Sequence, residues 1–324
     1  MQLKAALTAA VERLGVAEIG SPRLNSETLL MFVLAVNRAY LYAHPERELN
    51  AEEQARYDEA IAQRATGMPS QYITGHQEFW GLDFLVTPAV LIPRPETEHV
   101  VETVLELVRE GHGQSGRLRV VDVGTGSGCI VLALANELPT AELYATDISA
   151  DALEIAKANA ARLQLASRVQ FLQRDVLEPV SHTAAIANPI DIANSTVILS
   201  GESTPQADER CRRTPIITAQ FHDLDLVVSN PPYVAYREAD KVQRSVREFE
   251  PLHAVFAGID GLDVIGRIVE QAQVALKPGG WLVVEIGYSM RDEVLALFSQ
   301  ALWDDVRVVP DLQGIPRVIA ARRK

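Results

Sequence analysis

At 324 residues, 48% hydrophobic and 23% charged, the chain is long enough for one large domain or two, and too apolar for disorder to be its dominant state. Its formal net charge of -13 works against non-specific attraction to a phosphate backbone, which needs clustered Lys and Arg. Cys129 and Cys211 form no CxxC or Cys/His cluster, so a reducing, cytoplasmic setting is expected and neither a disulfide framework nor a metal site is.

The first residues, "MQLKAALTAAVERLGV", place Leu3, Leu7, Val11 and Leu14 at helical spacing with charges between them. A secretory leader would instead need a continuous apolar stretch, and no segment approaches membrane-spanning length. Residues 1–66 carry helical signals only, including "NAEEQARYDEAIAQR", in which Asn50 and Glu53 have capping-box spacing. They are expected to form a small helical domain that recognises the substrate. Residues 67–94 switch to aromatic and β-branched residues punctuated by Gly and Pro, as in a hairpin and linker.

From Pro95 to residue 324 the pattern alternates. A helix starting at "PETEHVVETVLELVRE" leads into the strand "LRVVDV", a glycine loop, the helix "IVLALANEL", the strand "ELYATD", the helix "ADALEIAKANAARL" and the strand "RVQFLQ". Such alternation predicts an α/β fold with a doubly wound, mostly parallel seven-stranded sheet. Residues 179–221 break the rhythm; they are too long for an ordinary connection and rich in Ser, Thr, Ala and Pro, which predicts an insertion with "STVILS" as its one strand-like piece. Beyond it come the strand "DLDLVVS", the helix "GLDVIGRIVEQAQVAL", a "KPGG" turn and the strand "WLVVEIG". A further helix and two closing strands, "DDVRVVP" and "PRVIAARR", are expected to end as an antiparallel edge.

"VVDVGTGSGCIVLALA" sets Gly124, Thr125, Gly126, Ser127 and Gly128 between a buried strand and a helix. Backbone can approach a ligand closely only where side chains are missing, and a helix start offers unpaired N–H groups to an anion. Asp147 ends the next strand, where a carboxylate can accept from both ribose hydroxyls of a nucleoside cofactor. The dinucleotide fingerprint would need glycine where Cys129 stands, and a Walker lysine is missing. The loop fits S-adenosylmethionine instead, which carries a carboxylate and an amine rather than a pyrophosphate. Asp175, at the end of the third strand, could accept from the adenine amino group or be a solvated loop acid. Cys129 could be an activated thiol at a helix start or a small packing residue.

"SNPPY" ends the fourth strand of this sheet, beside the crevice where ligands bind in such folds. Two prolines fix their own φ, hold Asn230 and Pro231 extended, and offer no competing N–H donor. Asn230 Oδ1 and the Pro231 carbonyl then form adjacent acceptors suited to gripping an NH2 group. A planar amide or amino nitrogen is a poor nucleophile because its lone pair is delocalised. Two acceptors can draw it toward tetrahedral geometry and stabilise the charge that develops on it, while Tyr233 walls in the flat group.

These motifs, with "PSQYITGHQEFWGL", "LIPRPETE", "EFEPLHAVFAGIDGLD" and "LKPGGWLVVEIG", resemble the peptide chain release factor N5-glutamine methyltransferases (HemK-type), within the class I S-adenosylmethionine-dependent methyltransferases. The resemblance covers nearly the whole chain. It implies methylation of the side-chain amide of the glutamine in the Gly-Gly-Gln motif of peptide chain release factors, with no direct nucleic-acid or membrane partner. Carried over, it implies cofactor contacts at Gly124 to Gly128, Asp147, Val176 and Asn230, and substrate contacts at Asn230, Pro231, Pro232 and Tyr233, with Asn230, Pro231 and Tyr233 catalytic. Val176 stands where some members have an aromatic against the adenine, and the insertion is foreign to the pattern. Arg94 could reach the rim of the active site or form a plain salt bridge at a helix start. Asn-Pro-Pro-Tyr also serves enzymes that methylate the exocyclic amino group of adenine or guanine in nucleic acid, and a fold kept for cofactor sensing or scaffolding without catalysis is a further alternative.

Overall fold

The structure is a computed structural model that describes residues 1–111, 117–179 and 221–324. Five helices come first: α1 (Leu3–Val16), α2 (Pro22–Leu34), α3 (Arg38–Ala43), α4 (Ala51–Ala65) and α5 (Ser70–Thr74). Leu3, Leu14, Leu29, Leu30, Leu41, Tyr57 and Ile61 form their common core. The capping box opens α4 as its spacing predicts: Asn50 accepts from Glu53 N–H, and the Glu53 carboxylate accepts from Asn50 N–H. Helices α3 and α5 are too short for periodicity to reveal them.

A hairpin follows, β1 (His76–Phe79) against β2 (Leu82–Leu85). It lies directly on the α/β layer. Phe79 and Phe84 enter the same core as helix α6 (Glu98–Arg109), and Trp80 N–H donates to Glu98 Oε1 at 2.8 Å. The start of that helix is tighter than expected, with residues Pro95–Thr97 forming a 3-10 turn.

The remaining elements are β3 (Arg119–Val123), α7 (Cys129–Glu137), β4 (Glu142–Asp147), α8 (Ala150–Arg162), β5 (Val169–Asp175), β6 (Glu178–Pro179), β7 (Leu224–Ser229), α9 (Arg244–Phe249), α10 (Leu252–Val255), α11 (Asp263–Ala275), β8 (Leu276–Glu285), α12 (Arg291–Leu295), β9 (Trp303–Pro310) and β10 (Pro316–Arg323). The sheet order is β6-β5-β4-β3-β7-β8-β10-β9. Strands β5, β4, β3, β7 and β8 are parallel, and β10 runs antiparallel to both of its neighbours. This is the expected seven-stranded, doubly wound sheet, extended by the two-residue strand β6.

Strict alternation splits the strands between two cores. Val120, Leu226, Val228, Trp281 and Val283 face α6 and α7, whereas Val121, Val227, Leu282 and Val284 face α11 and α12. Burial on both faces explains why these strands read as continuous apolar runs. The KPGG segment, expected as a turn, lies inside β8, where an irregular register against β7 between Leu224 and Leu226 absorbs it. The expected insertion, including "STVILS", falls almost entirely outside the described residues. Its described ends belong to the fold: Glu178–Pro179 pairs with β5, and Phe221 is buried edge-on against Tyr144.

Candidate active site

The chain reverses its direction of winding at β3, whose neighbours are β4 on one side and β7 on the other. Val123 is in register with Thr146 and with Ser229, and Ser229 with Val284. The glycine loop, Asp147, Asn230 and Glu285 therefore all leave the sheet at the same level, around one crevice.

The loop after β3 is held from behind. Gly124 and Thr125 N–H both donate to the Thr146 carbonyl, at 2.8 and 2.9 Å. Thr125 turns its hydroxyl inward to Asp122 Oδ2 at 2.7 Å and braces the loop, whereas the buried Ser127 hydroxyl has no hydrogen-bond partner among the described residues. Asp122 is fully buried and, largely through that burial, its carboxyl rises to about 7. At Gly124 and Gly126, both at positive φ, a Cβ would point into open space; at Gly128 it would meet Leu132 and Ala156 at 3.1 and 3.3 Å. The first two glycines thus leave a cradle a ligand can enter, and the third lets α7 pack against α8. Helix α7 also begins without a side-chain cap.

Asp147 closes one side of the cradle. Its Oδ2 accepts from Gly126 N–H and its Oδ1 from Ser149 N–H, each at 2.9 Å, and each oxygen keeps a further lone pair. Burial raises its carboxyl above the usual carboxylate range against the pull of those two N–H groups. Asp175 lies farther out, with Oδ2 in an ion pair to Arg267 at 2.9 Å and side chains about equally exposed, 42% and 43%. Val176 is buried at a φ of 61°, a strained conformation for a β-branched residue, and its carbonyl accepts from Thr146 Oγ1 at 2.9 Å. Cys129 is a packing residue: burial pushes its thiol up to about 12.

On the other side of the crevice, Ser229 Oγ donates to the Val123 carbonyl at 2.7 Å and fixes the end of β7. Beyond Pro232 the chain is pinned again, by Val234 N–H to the Val255 carbonyl and Ala257 N–H to the Val234 carbonyl, both at 3.0 Å. Between these anchors, Asn230 Nδ2 donates to Thr97 Oγ1 at 2.9 Å. No described residue donates to Asn230 Oδ1 or to the Pro231 carbonyl. The Tyr233 hydroxyl reaches Glu285 Oε1 at 3.5 Å. Burial, then the Glu285 charge, holds its phenol well above the usual range.

The motifs do not single out Thr97 or Glu285, although an acid inside the apolar run "WLVVEIG" was a signal. Burial raises the Glu285 carboxyl to about 7; the nearby Thr97 and Tyr233 hydroxyls and the Arg317 charge oppose the rise, and the Glu96 charge adds to it. Among the described residues its Oε2 has no hydrogen-bond partner. Arg94 forms an ion pair with buried Glu250 at 2.5 Å, and Glu250 also accepts from Ile92 N–H. Among the described residues no His, Cys, Asp and Glu cluster could hold a metal ion, and no helix is long and apolar enough to cross a membrane.

Residues 5–75 match the PrmC N-terminal domain family, and residues 114–300 match a methyltransferase domain family. The release factor glutamine methyltransferase of Koribacter versatilis is 49% identical over 323 residues, covering 100% of this chain and 99% of its own. That of Moorella thermoacetica is 38% identical and covers 100% and 99%; that of Bacillus subtilis is 34% identical and covers 94% and 92%. With a methyltransferase domain behind the crevice and full-length relatives that share one description, the chain belongs to the release factor glutamine methyltransferase family.

Proposed function

We propose that this chain transfers a methyl group from S-adenosylmethionine to the side-chain amide nitrogen (N5) of the glutamine in the Gly-Gly-Gln motif of a peptide chain release factor. The observation that carries this reading is the pair of undonated acceptors, Asn230 Oδ1 and the Pro231 carbonyl, held rigidly beside a glycine cradle. The cradle suits the cofactor: Gly124 and Gly126 leave room for its amino-acid end, and Asp147 keeps lone pairs for ribose hydroxyls. Asp175 and Val176 border the adenine side, where aliphatic packing replaces an aromatic face. When bound, S-adenosylmethionine supplies an electrophilic methyl on a sulfonium sulfur that leaves as a neutral thioether.

The protein's own work is to prepare the nucleophile. Asn230 Oδ1 and the Pro231 carbonyl take the two N–H groups of the glutamine amide, and Pro232 and Tyr233 hold its plane. Both oxygens act most strongly once the nitrogen becomes tetrahedral and positive, so they favour the transition state over the bound substrate. They also hold the surplus proton until solvent removes it. The helical residues 1–66 supply contacts to the body of the release factor.

The test is incubation with labelled S-adenosylmethionine and either a bacterial release factor or adenine-containing nucleic acid, with the methyl mapped by mass spectrometry. Label on the glutamine side chain, and a kcat about 100- to 1000-fold lower in Asn230→Ala, are the expected results. Methylation of nucleic acid with none on the factor would overturn the reading.

A further inference from the structure

The Asn-Pro-Pro-Tyr loop is gripped at each end by a different stretch of chain. At its start, Asn230 Nδ2 donates to Thr97 Oγ1 at 2.9 Å. Thr97 ends the 3-10 turn that Arg94 opens, and its N–H donates to the Arg94 carbonyl at 3.1 Å. At the far end, Val234 N–H donates to the Val255 carbonyl and Ala257 N–H to the Val234 carbonyl, so the chain leaving α10 runs beside the loop, with Val234 and Phe256 as an isolated parallel bridge. Tyr236 N–H adds a bond to the Gly258 carbonyl at 2.9 Å. A 3-10 turn of three residues and the four-residue helix α10 are too short to hold their own positions.

The ion pair of Arg94 with Glu250, formed across 156 residues of sequence, joins these two stretches. Glu250 caps the C-terminal end of α9 and stands just before α10. Its side chain is 1% exposed and that of Arg94 33%, so the carboxylate is the member that depends on its partners. Glu250 Oε1 accepts from Arg94 Nη2 and Oε2 from Ile92 N–H, both in the segment that leads to Thr97. The path from Arg94 through Thr97, Asn230, Val234, Val255 and Glu250 is thereby a closed ring of short chain segments and hydrogen bonds, and Pro231 lies on it. We propose that Arg94 and Glu250 are positioning residues whose ion pair closes this ring and fixes the spacing between Asn230 Oδ1 and the Pro231 carbonyl. This inference rests on the reading of those two acceptors as the grip on the glutamine amide.

Variants of the full chain test it with S-adenosylmethionine and a bacterial release factor. Arg94→Met keeps much of the stem but removes the cation, and its kcat should fall about 10- to 100-fold while KM for the factor and the calorimetric Kd for S-adenosylmethionine stay within about threefold. Arg94→Lys keeps the charge and should hold kcat within about fivefold of the parent. Arg94→Met leaves a buried charge uncompensated; the double variant Arg94→Met/Glu250→Leu leaves none, and it should stay folded yet show the same loss of kcat. Without substrate, the amides of Val234 and Ala257, followed by NMR, should exchange about tenfold faster in the double variant, and those of Gly124 and Thr125 at the parent's rate.

If Asn230→Ala loses activity and the double variant does not, the positioning role is wrong and the gripping role stands. If Asn230→Ala keeps its kcat, the gripping role itself fails and takes this inference with it. A parallel loss of kcat, cofactor affinity and thermal stability in the double variant, with faster exchange at Gly124 and Thr125 as well, would make the pair a general structural tie and overturn the proposal.

Discussion

Leu85 and Asn159 exchange a reciprocal pair of hydrogen bonds: Leu85 N–H donates to Asn159 Oδ1 at 2.7 Å, and Asn159 Nδ2 donates to the Leu85 carbonyl at 3.0 Å. The same Nδ2 donates to the Ser127 carbonyl at 2.9 Å. A single, fully buried amide on α8 therefore ties the hairpin to the glycine loop. It satisfies backbone groups that neither segment can satisfy alone.

Asn159→Leu should strand three backbone groups at once, the buried Ser127 carbonyl and the partly buried N–H and carbonyl of Leu85. We expect a loss of about 2–4 kcal/mol in the urea unfolding free energy, and weaker S-adenosylmethionine binding because the Ser127 end of the loop is released. A loss below about 1 kcal/mol would mean that solvent reaches these groups and the tie is incidental.

Asp147→Ala removes the carboxylate assigned to the ribose hydroxyls. Hydrogen bonds to a charged acceptor contribute about 1.5–3 kcal/mol, so the calorimetric Kd for S-adenosylmethionine should rise about 10- to 100-fold. Gly126 and Ser149 lose an acceptor as well, and stability should fall by about 1–2 kcal/mol. An unchanged Kd would remove Asp147 from the cofactor site.

Glu285 has a pH signature that is separate from catalysis. Its carboxyl is harder to ionise in the folded chain, where it titrates at about 7, so it favours folding fully only below its unfolded pKa, and that contribution is lost as pH rises toward about 7. Glu285→Gln abolishes the cost of burying the charge. Relative to the parent, this variant should gain about 1–3 kcal/mol at pH 8 and much less at pH 5. Asp122, which also titrates at about 7, is common to both proteins and cancels in the comparison. Denaturant unfolding at the two pH values checks this; an offset independent of pH would contradict it.

Gly261→Ala probes the support of the Asn-Pro-Pro-Tyr loop from the opposite side. Gly261 has a φ of +84°, and a Cβ there would stand 2.3 Å from the Tyr233 carbonyl oxygen. Backbone must shift, so stability should fall by about 1–3 kcal/mol and kcat by about tenfold or more. The glycine cradle lies across the crevice, and the Kd for S-adenosylmethionine should change little. Loss of cofactor binding with kcat preserved would contradict this division of labour.

Much of the architecture was legible because it depends on local rules. Asn50 and Glu53 announce a helix start by spacing alone, and the doubly buried strands announce themselves by unbroken apolar runs. "DVGTGSG" and "SNPPY" were legible for a different reason: glycine and proline restrict the backbone so specifically that their placement implies a purpose. KPGG misled because the residues of a turn and of an irregular strand are the same, and only the register of β8 against β7 distinguishes them. Thr97 could not be joined to Asn230 from the sequence, since the two meet across 133 residues of chain only in the folded protein. Asp175 shows the limit in the other direction: its position at a strand end gave no hint of the ion pair that Arg267 on α11 makes with it.

The arrangement of the final strands also dictates an order of assembly. Among the described residues β9 pairs with β10 alone, and β10 follows both β8 and β9 in the chain although it lies between them in the sheet. A nascent chain can therefore pair β3, β4 and β5 while β8 and β9 still wait for a common neighbour. Glu285 on β8 is in register with Val318 on β10, so the wall behind Asn230 is completed after the glycine cradle. A chain interrupted before residue 316 would expose two unpaired strand edges, a template for association with other copies rather than a slightly weakened enzyme.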